Sequence, residues 1–144
     1  MRWHGLRLGY AVANRSLAAS LRLKLPWWNI NGLAAFVLRW TADHVDTLHQ
    51  SFDRVRDDRE AMLGALAGVK GLTAFPSHAN FIFCRLHRPG GGRILRDRLI
   101  ERHGLLVREC SNKFGGSEDE LRLAVLPSPA VRRLVAALEI ELAG

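Results

Sequence analysis

Between residues 71 and 144, short apolar runs and amphipathic stretches alternate in an order that leaves few ways to fold. GLTAF (71–75) has strand character, Pro76 and Ser77 mark a turn, and NFIFCRL (80–86) is a second strand-like run. GRILRDRLIERH (92–103) has helical periodicity and is followed by Gly104, a residue suited to end a helix. LLVREC (105–110) and LRLAVL (121–126) supply two more strands, separated by the polar, glycine-containing SNKFGGSEDE. SPAVRRLVAALEIEL (128–142) reads as a closing helix, with Ser128 as its N-cap and Pro129 at its first position. The order β-β-α-β-β-α predicts a two-layer α+β module, because a sheet with one apolar face must bury that face under helices.

The first 69 residues are organised differently. LRLGYAVAN (6–14) reads as a short strand that exits at Asn14. RSLAASLRLK (15–24) fits a helix with Ser16 as N-cap, and Pro26 breaks it. PWWNIN (26–31) is a loop. From Gly32 helical spacing places Leu33, Phe36, Val37, Trp40 and Val45 near one face. A second helix runs over 53–69, with Val55, Met62, Leu63 and Leu66 inward. One strand cannot make a sheet, so this half reads as part of something larger. The boundaries drawn on this basis are 1–50, a connecting helix at 51–70, and a small domain at 71–144.

Hydrophobic residues make up 48% of the 144 and charged residues 24%, which fits a globular chain rather than a disordered one. No apolar run approaches the ~20 residues of a bilayer span, and the start lacks a secretory pattern; a soluble cytoplasmic location is expected. Two cysteines, Cys84 and Cys110, make no disulfide framework, and there is no metal-ligand cluster. In DHVDTLH, His44 and His49 are five apart and do not share a helix face, so a solvated helix is the plainer reading. The net charge of +7 raises the question of nucleic acid. Much of the excess lies in 85–102, where Ile94, Leu95, Leu99 and Ile100 form an apolar helix face and the arginines take the solvated side. Aromatic interleaving for base stacking is absent there. A nucleic-acid partner is not expected.

Five stretches, in order, carry a resemblance: GLRLGY (5–10), WNINGLA (28–34), SHANFIF (77–83), HGLLVRECSN (103–112) and LRLAV (121–125). With them the chain resembles the C-terminal part of the class I/II, fold type I aminotransferases that use pyridoxal 5'-phosphate (PLP). Within these it is most similar to the branch of histidinol-phosphate aminotransferase and threonine-phosphate decarboxylase. The resemblance covers nearly the whole chain. It implies an α/β fold in which residues 1–50 are a remnant of the large PLP-binding domain and 71–144 are the small C-terminal domain.

The resemblance also implies roles. Arg7 matches the arginine of a GxRxG motif that binds the PLP phosphate, where a guanidinium fork suits a dianion and glycines let the cofactor approach. The alternative for Arg7 is a strand-end residue paired with a surface carboxylate. Arg122, in ELRLAV, matches the arginine that takes the substrate α-carboxylate; otherwise it is an outward strand residue. Arg108, in LLVREC, matches a position that reads a distal substrate phosphate, or it is an ordinary solvated arginine. Asn80 matches an asparagine at the active-site mouth, or it is a buried turn residue satisfying backbone groups. Asn29 and Asn31 match a loop that orders the domain junction, while Trp27 and Trp28 read as interface or core. Cys110 stands in a CSN triplet similar to one on the decarboxylase side, from which the following KFGG departs.

The family's Schiff-base lysine stands shortly before the phosphate-binding arginine, in an S-x-[ST]-K context. That position falls before Met1, and Lys24, Lys70 and Lys113 have no such context. No catalytic residue is therefore assigned, and covalent attachment of PLP is not expected in this chain. The readings that follow are a piece of a longer enzyme, a frame begun at an internal methionine, or half of a split enzyme. Trp27, Trp28, Phe36 and Trp40 are expected to form an exposed apolar patch. The implied parent activity is amino-group transfer between an amino acid, phosphorylated or not, and a 2-oxo acid, in a homodimeric enzyme. The alternatives are decarboxylation of a phosphorylated amino acid, as in cobalamin biosynthesis, and a non-catalytic basic module that binds RNA or a protein.

Overall fold

The computed structural model describes residues 8–89, 91–113 and 115–143. The chain divides into two units, Met1–Ser51 and Phe52–Gly144.

The described part of the first unit is helical. Asn14 starts helix α1 (Arg15–Arg22): its side chain accepts the N–H of Leu17 at 2.9 Å. Ser16, the expected cap, instead donates its hydroxyl to Asn14 Oδ1. Both side chains can accept a backbone N–H, and the one preceding the first turn does so. The strand expected over 6–14 does not form in its described part, 8–14, and no strand among the described residues of this unit offers a ladder partner. Asn31 caps helix α2 (Gly32–Asp43) by accepting the N–H of Ala34 at 2.8 Å. α2 buries Ala34 and Val37, whereas Leu33, which shares their helical spacing, is exposed, and so is Phe36, as expected of the apolar patch. Helix α2 ends where His44 stacks on Trp40 and its Nδ1 meets the Trp40 carbonyl at 2.8 Å. Trp27 and Trp28 are almost fully exposed, at 94% and 96%, so the expected apolar surface is present except at the half-buried Trp40. Helix α3 (Val45–Ala67) begins in this unit and gives its C-terminal part to the next.

The second unit has the expected β-β-α-β-β-α order. Strands β1 (Leu72–Ala74), β2 (Phe81–Leu86), β3 (Arg108–Glu109) and β4 (Glu120–Ala124) form an antiparallel sheet in the order β1-β2-β4-β3. Successive side chains of a strand point to opposite faces. On one face Ile82, Cys84, Leu86, Leu121 and Leu123 are buried. They share a core with Met62 and Leu66 of α3, Leu95 and Leu99 of α4 (Gly91–His103), and Val131, Leu134 and Leu138 of α5 (Ser128–Leu142). Each fully buried Leu, Ile or Met contributes about 1.5–3 kcal/mol. Ile94 and Ile100, expected on the buried face of α4, are exposed, because that helix turns only a narrow stripe to the sheet.

The helix ends follow local chemistry. Gly104 ends α4 at φ +64°, and the N–H of Leu105 reaches back to the carbonyl of Leu99 at 2.9 Å. α5 begins at Ser128, the expected cap itself, and is capped one residue earlier. Extended Pro127 presents its carbonyl to Ala130 and Val131, so Ser128 already lies inside the helix and caps nothing. Near the end of α5, buried Glu141 faces three α4 side chains: Arg98, Arg102 and His103. Hydrogen bonding from His103, assisted by Arg102 and Arg98, outweighs burial and holds the Glu141 carboxyl below its ordinary range.

Candidate functional site

The opposite face of the sheet carries the polar chemistry. Register aligns Phe83 of β2 with Arg122 of β4, and Arg122 with Arg108 of β3. Because the side-chain period is two, Phe81, Arg85, Glu120 and Cys110 face the same way. A cavity of about 370 Å³ opens there, lined among others by Phe81, Phe83, Arg108, Cys110, Lys113 and Arg122. Its rim is the turn after β3, closed by hydrogen bonds from Lys113 N–H to the Cys110 carbonyl (2.9 Å) and from Gly116 N–H to the Lys113 carbonyl (2.8 Å).

The two arginines are placed differently. Arg122 lies over the Phe81 ring, 4.8 Å from its centroid, in cation–π geometry. Arg108 donates to Asn112 Oδ1 at 3.1 Å. Neither is ion-paired to a carboxylate among the described residues. Acidic groups are nearby, yet they are engaged elsewhere. Glu109 points to the helical face. Burial pushes its carboxyl up, but the N–H and hydroxyl of Ser111, with Arg93 and Arg96, bring it below the usual carboxylate range. Glu120 accepts from Arg85 at 2.8 Å and from the N–H of Ser117 at 3.0 Å; these bonds lower its pKa, Arg85 foremost. Burial raises the Cys110 thiol against the pull of Arg122, and burial alone pushes Cys84 up to about 12. Neither cysteine is an activated nucleophile.

Of the residues singled out from sequence, the structure brings Arg108 and Arg122 together. Asn80 is exposed rather than buried, lies outside this cavity's lining, and uses its carbonyl to accept the N–H of Val125 at 3.0 Å. Arg7 lies outside the described residues. Sequence reasoning missed Lys113, Glu120 and the two phenylalanines as cavity walls. The alternation of β2 and β4 carried a signal for Phe81, Phe83 and Glu120; Lys113 sits in a turn and had none. Among the described residues no His, Cys, Asp or Glu cluster could hold a metal ion, and no helix is long and apolar enough to cross a membrane.

A family model described as aminotransferase class I and II matches residues 1–138. The chain belongs to the class I and II aminotransferases. This is a PLP-dependent family. The chain is 36% identical to CMP-5'-(3-aminopropyl)phosphonate synthase of Streptomyces rubellomurinus, over 97% of its own length and 22% of that protein. It is 33% identical to histidinol-phosphate aminotransferase of Caldanaerobacter subterraneus, over 93% of its own length and 36% of that protein. It therefore spans about a third or less of the relatives it matches. Among solved structures, L-threonine-O-3-phosphate decarboxylase from Porphyromonas gingivalis superposes with a TM-score of 0.84, covering 99% of this chain and 43% of that one at 24% identity. The mixed α/β architecture is thus that of the fold type I PLP enzymes.

The cavity's donor set suits an anion. Two guanidiniums and an ammonium line it, and the candidate ligand for the cofactor phosphate, Arg7, is not among its described walls.

Proposed function

We propose that this chain supplies the substrate-anion site of a PLP-dependent aminotransferase acting on an amino acid, phosphorylated or not, and a 2-oxo acid. The observation that carries this reading is the Arg108–Arg122 pair. Two like charges stand at partnered positions of adjacent strands, in a cavity, with no carboxylate partner among the described residues. Such an arrangement is unfavourable until an anion arrives.

In this reading Arg122 receives the α-carboxylate. Its fork can donate two parallel hydrogen bonds, and the Phe81 ring restricts its rotamers. Arg108, steadied by Asn112 and flanked by Lys113, receives a distal phosphate or second carboxylate. Anchoring both ends fixes the orientation of the amino acid's Cα bonds, which is what a stereospecific proton transfer requires. Phe81 and Phe83 give the cavity an apolar wall beside the two exposed guanidiniums. When bound, the cofactor supplies an electron sink for charge at Cα; the residues of this chain bind and orient.

The test is calorimetric titration of the chain with O-phospho-L-threonine and with L-threonine. Arg122→Met should weaken both ligands about tenfold or more, and Arg108→Met should weaken the phosphorylated ligand preferentially. Equal binding of both ligands to the native chain and both variants would refute the assignment.

A further inference from the structure

Glu120 lies two residues before Arg122 on the same face of β4 and lines the same cavity. Strand geometry sets such neighbours about 7 Å apart, within reach of a Glu–Arg pair. Arg108 is diagonal to it on β3, where Cys110 faces Glu120 directly. A buried carboxylate on the same face and in the same cavity is a counter-ion that would compete with any anionic ligand. It pairs with neither. Oε1 accepts from Arg85 and Oε2 from the Ser117 N–H. Arg85 faces Glu120 as its register partner on β2, and its guanidinium lies over the Phe75 ring, 5.7 Å from the centroid. Arg85 is half exposed and lies outside the cavity lining, whereas the Glu120 side chain is only 9% exposed.

We propose that Arg85 is a positioning residue of the anion site: by holding Glu120 toward β2, it keeps Arg108 and Arg122 available to ligand. The inference rests on the anion-binding reading of the cavity given above. Arg85 contacts no ligand in this arrangement and acts through Glu120. The carboxylate shares the cavity lining with Arg108 and Arg122, and Arg85 neutralises it from outside that lining. Without Arg85 the carboxylate is left buried and charged, a costly state, and Arg122, two residues along the same strand face, is the replacement we infer.

The experiment titrates the 144-residue chain with inorganic phosphate at fixed ionic strength. The side-chain Nε–H resonances of Arg108 and Arg122 are followed by NMR. Arg85→Met should weaken phosphate binding roughly fivefold or more and move the Arg122 resonance before any phosphate is added. Arg85→Met/Glu120→Gln, in which the competitor is neutral, should return affinity to within about twofold of the native chain. Glu120→Gln alone should bind at least as tightly as the native chain. Arg85 serving only to hold the sheet together would leave the double variant as weak as the single one. Unchanged affinity in Arg85→Met, no recovery in the double variant, or weaker binding in Glu120→Gln each overturns the proposal. Arg122→Met separates the two readings. If the native chain binds no phosphate, or Arg122→Met binds as well as it does, the anion site itself fails and the role of Arg85 falls with it. If Arg122→Met abolishes binding while Arg85→Met does not change it, only the role of Arg85 fails.

Discussion

Replacing Arg108 with glutamine should make the β3–β4 ladder more stable while weakening the site. Arg108 and Arg122 are Cα partners on one face. Charges about 6 Å apart repel by about 0.7 kcal/mol with water-like screening and by nearly 3 kcal/mol at an effective dielectric of about 20. Both side chains are exposed, so the lower figure governs, in line with about 0.2–1 kcal/mol for like charges across a ladder. Glutamine removes the charge and keeps an amide donor. Native-state hydrogen exchange is the fitting assay, because it reads the ladder locally: the Cys110 N–H donates to the Glu120 carbonyl at 2.9 Å. Its exchange should slow roughly two- to threefold at low ionic strength. At about 1 M salt, where the Debye length is about 3 Å, the gain should vanish. Arg122→Gln relieves the same repulsion but also loses the contact with Phe81, worth about 0.5–1 kcal/mol, so it should be nearly neutral. Added to Arg122→Gln, Arg108→Gln should give no further gain. A gain that survives high salt, or one that persists in the Arg122→Gln background, would refute the idea of an unneutralised pair.

Two further outcomes are expected. Glu109, Glu120 and Glu141 all have carboxyls held below the unperturbed value of 4.5, so folding favours their charged forms. That stability is present above the unfolded value and is lost as pH falls through the lower folded values. The urea midpoint should therefore hold from neutral pH down to about 4.5 and then drop. Glu120→Gln should lower the neutral-pH midpoint and make the drop shallower; an unchanged profile would dismiss the Arg85 and Ser117 bonds as stabilising. Separately, a Cβ at Gly92 would stand 2.2 Å from the Glu118 carbonyl oxygen, while at Gly91 the nearest atom is a Leu86 methyl at 3.5 Å. Gly92→Ala should cost about 1–3 kcal/mol and Gly91→Ala far less, as thermal melts would show; equal costs would mean that the α4 start can shift freely.

The sequence by itself determined the order of elements after residue 71. The strands and helices there are legible because each carries the period of a half-buried element, two for β2 and β4 and near 3.6 for α5, and because Gly104 can take the left-handed turn. It also determined the family, through motifs whose order spans the chain. What it did not determine are the properties that depend on who sits beside whom. LRLGYAVAN has strand composition, but a strand exists only where another chain segment completes its hydrogen bonds, and none does so for its described residues. Leu33 and Phe36 have core spacing but no covering surface. Arg108 and Arg122 lie fourteen positions apart in sequence, and the antiparallel pairing of β3 with β4 alone makes them neighbours. Glu120 stands two positions before Arg122 in sequence, yet its ion-pair partner, Arg85, comes from β2. Sequence spacing records which residue types are available; the tertiary register decides which charges are paired and which are not.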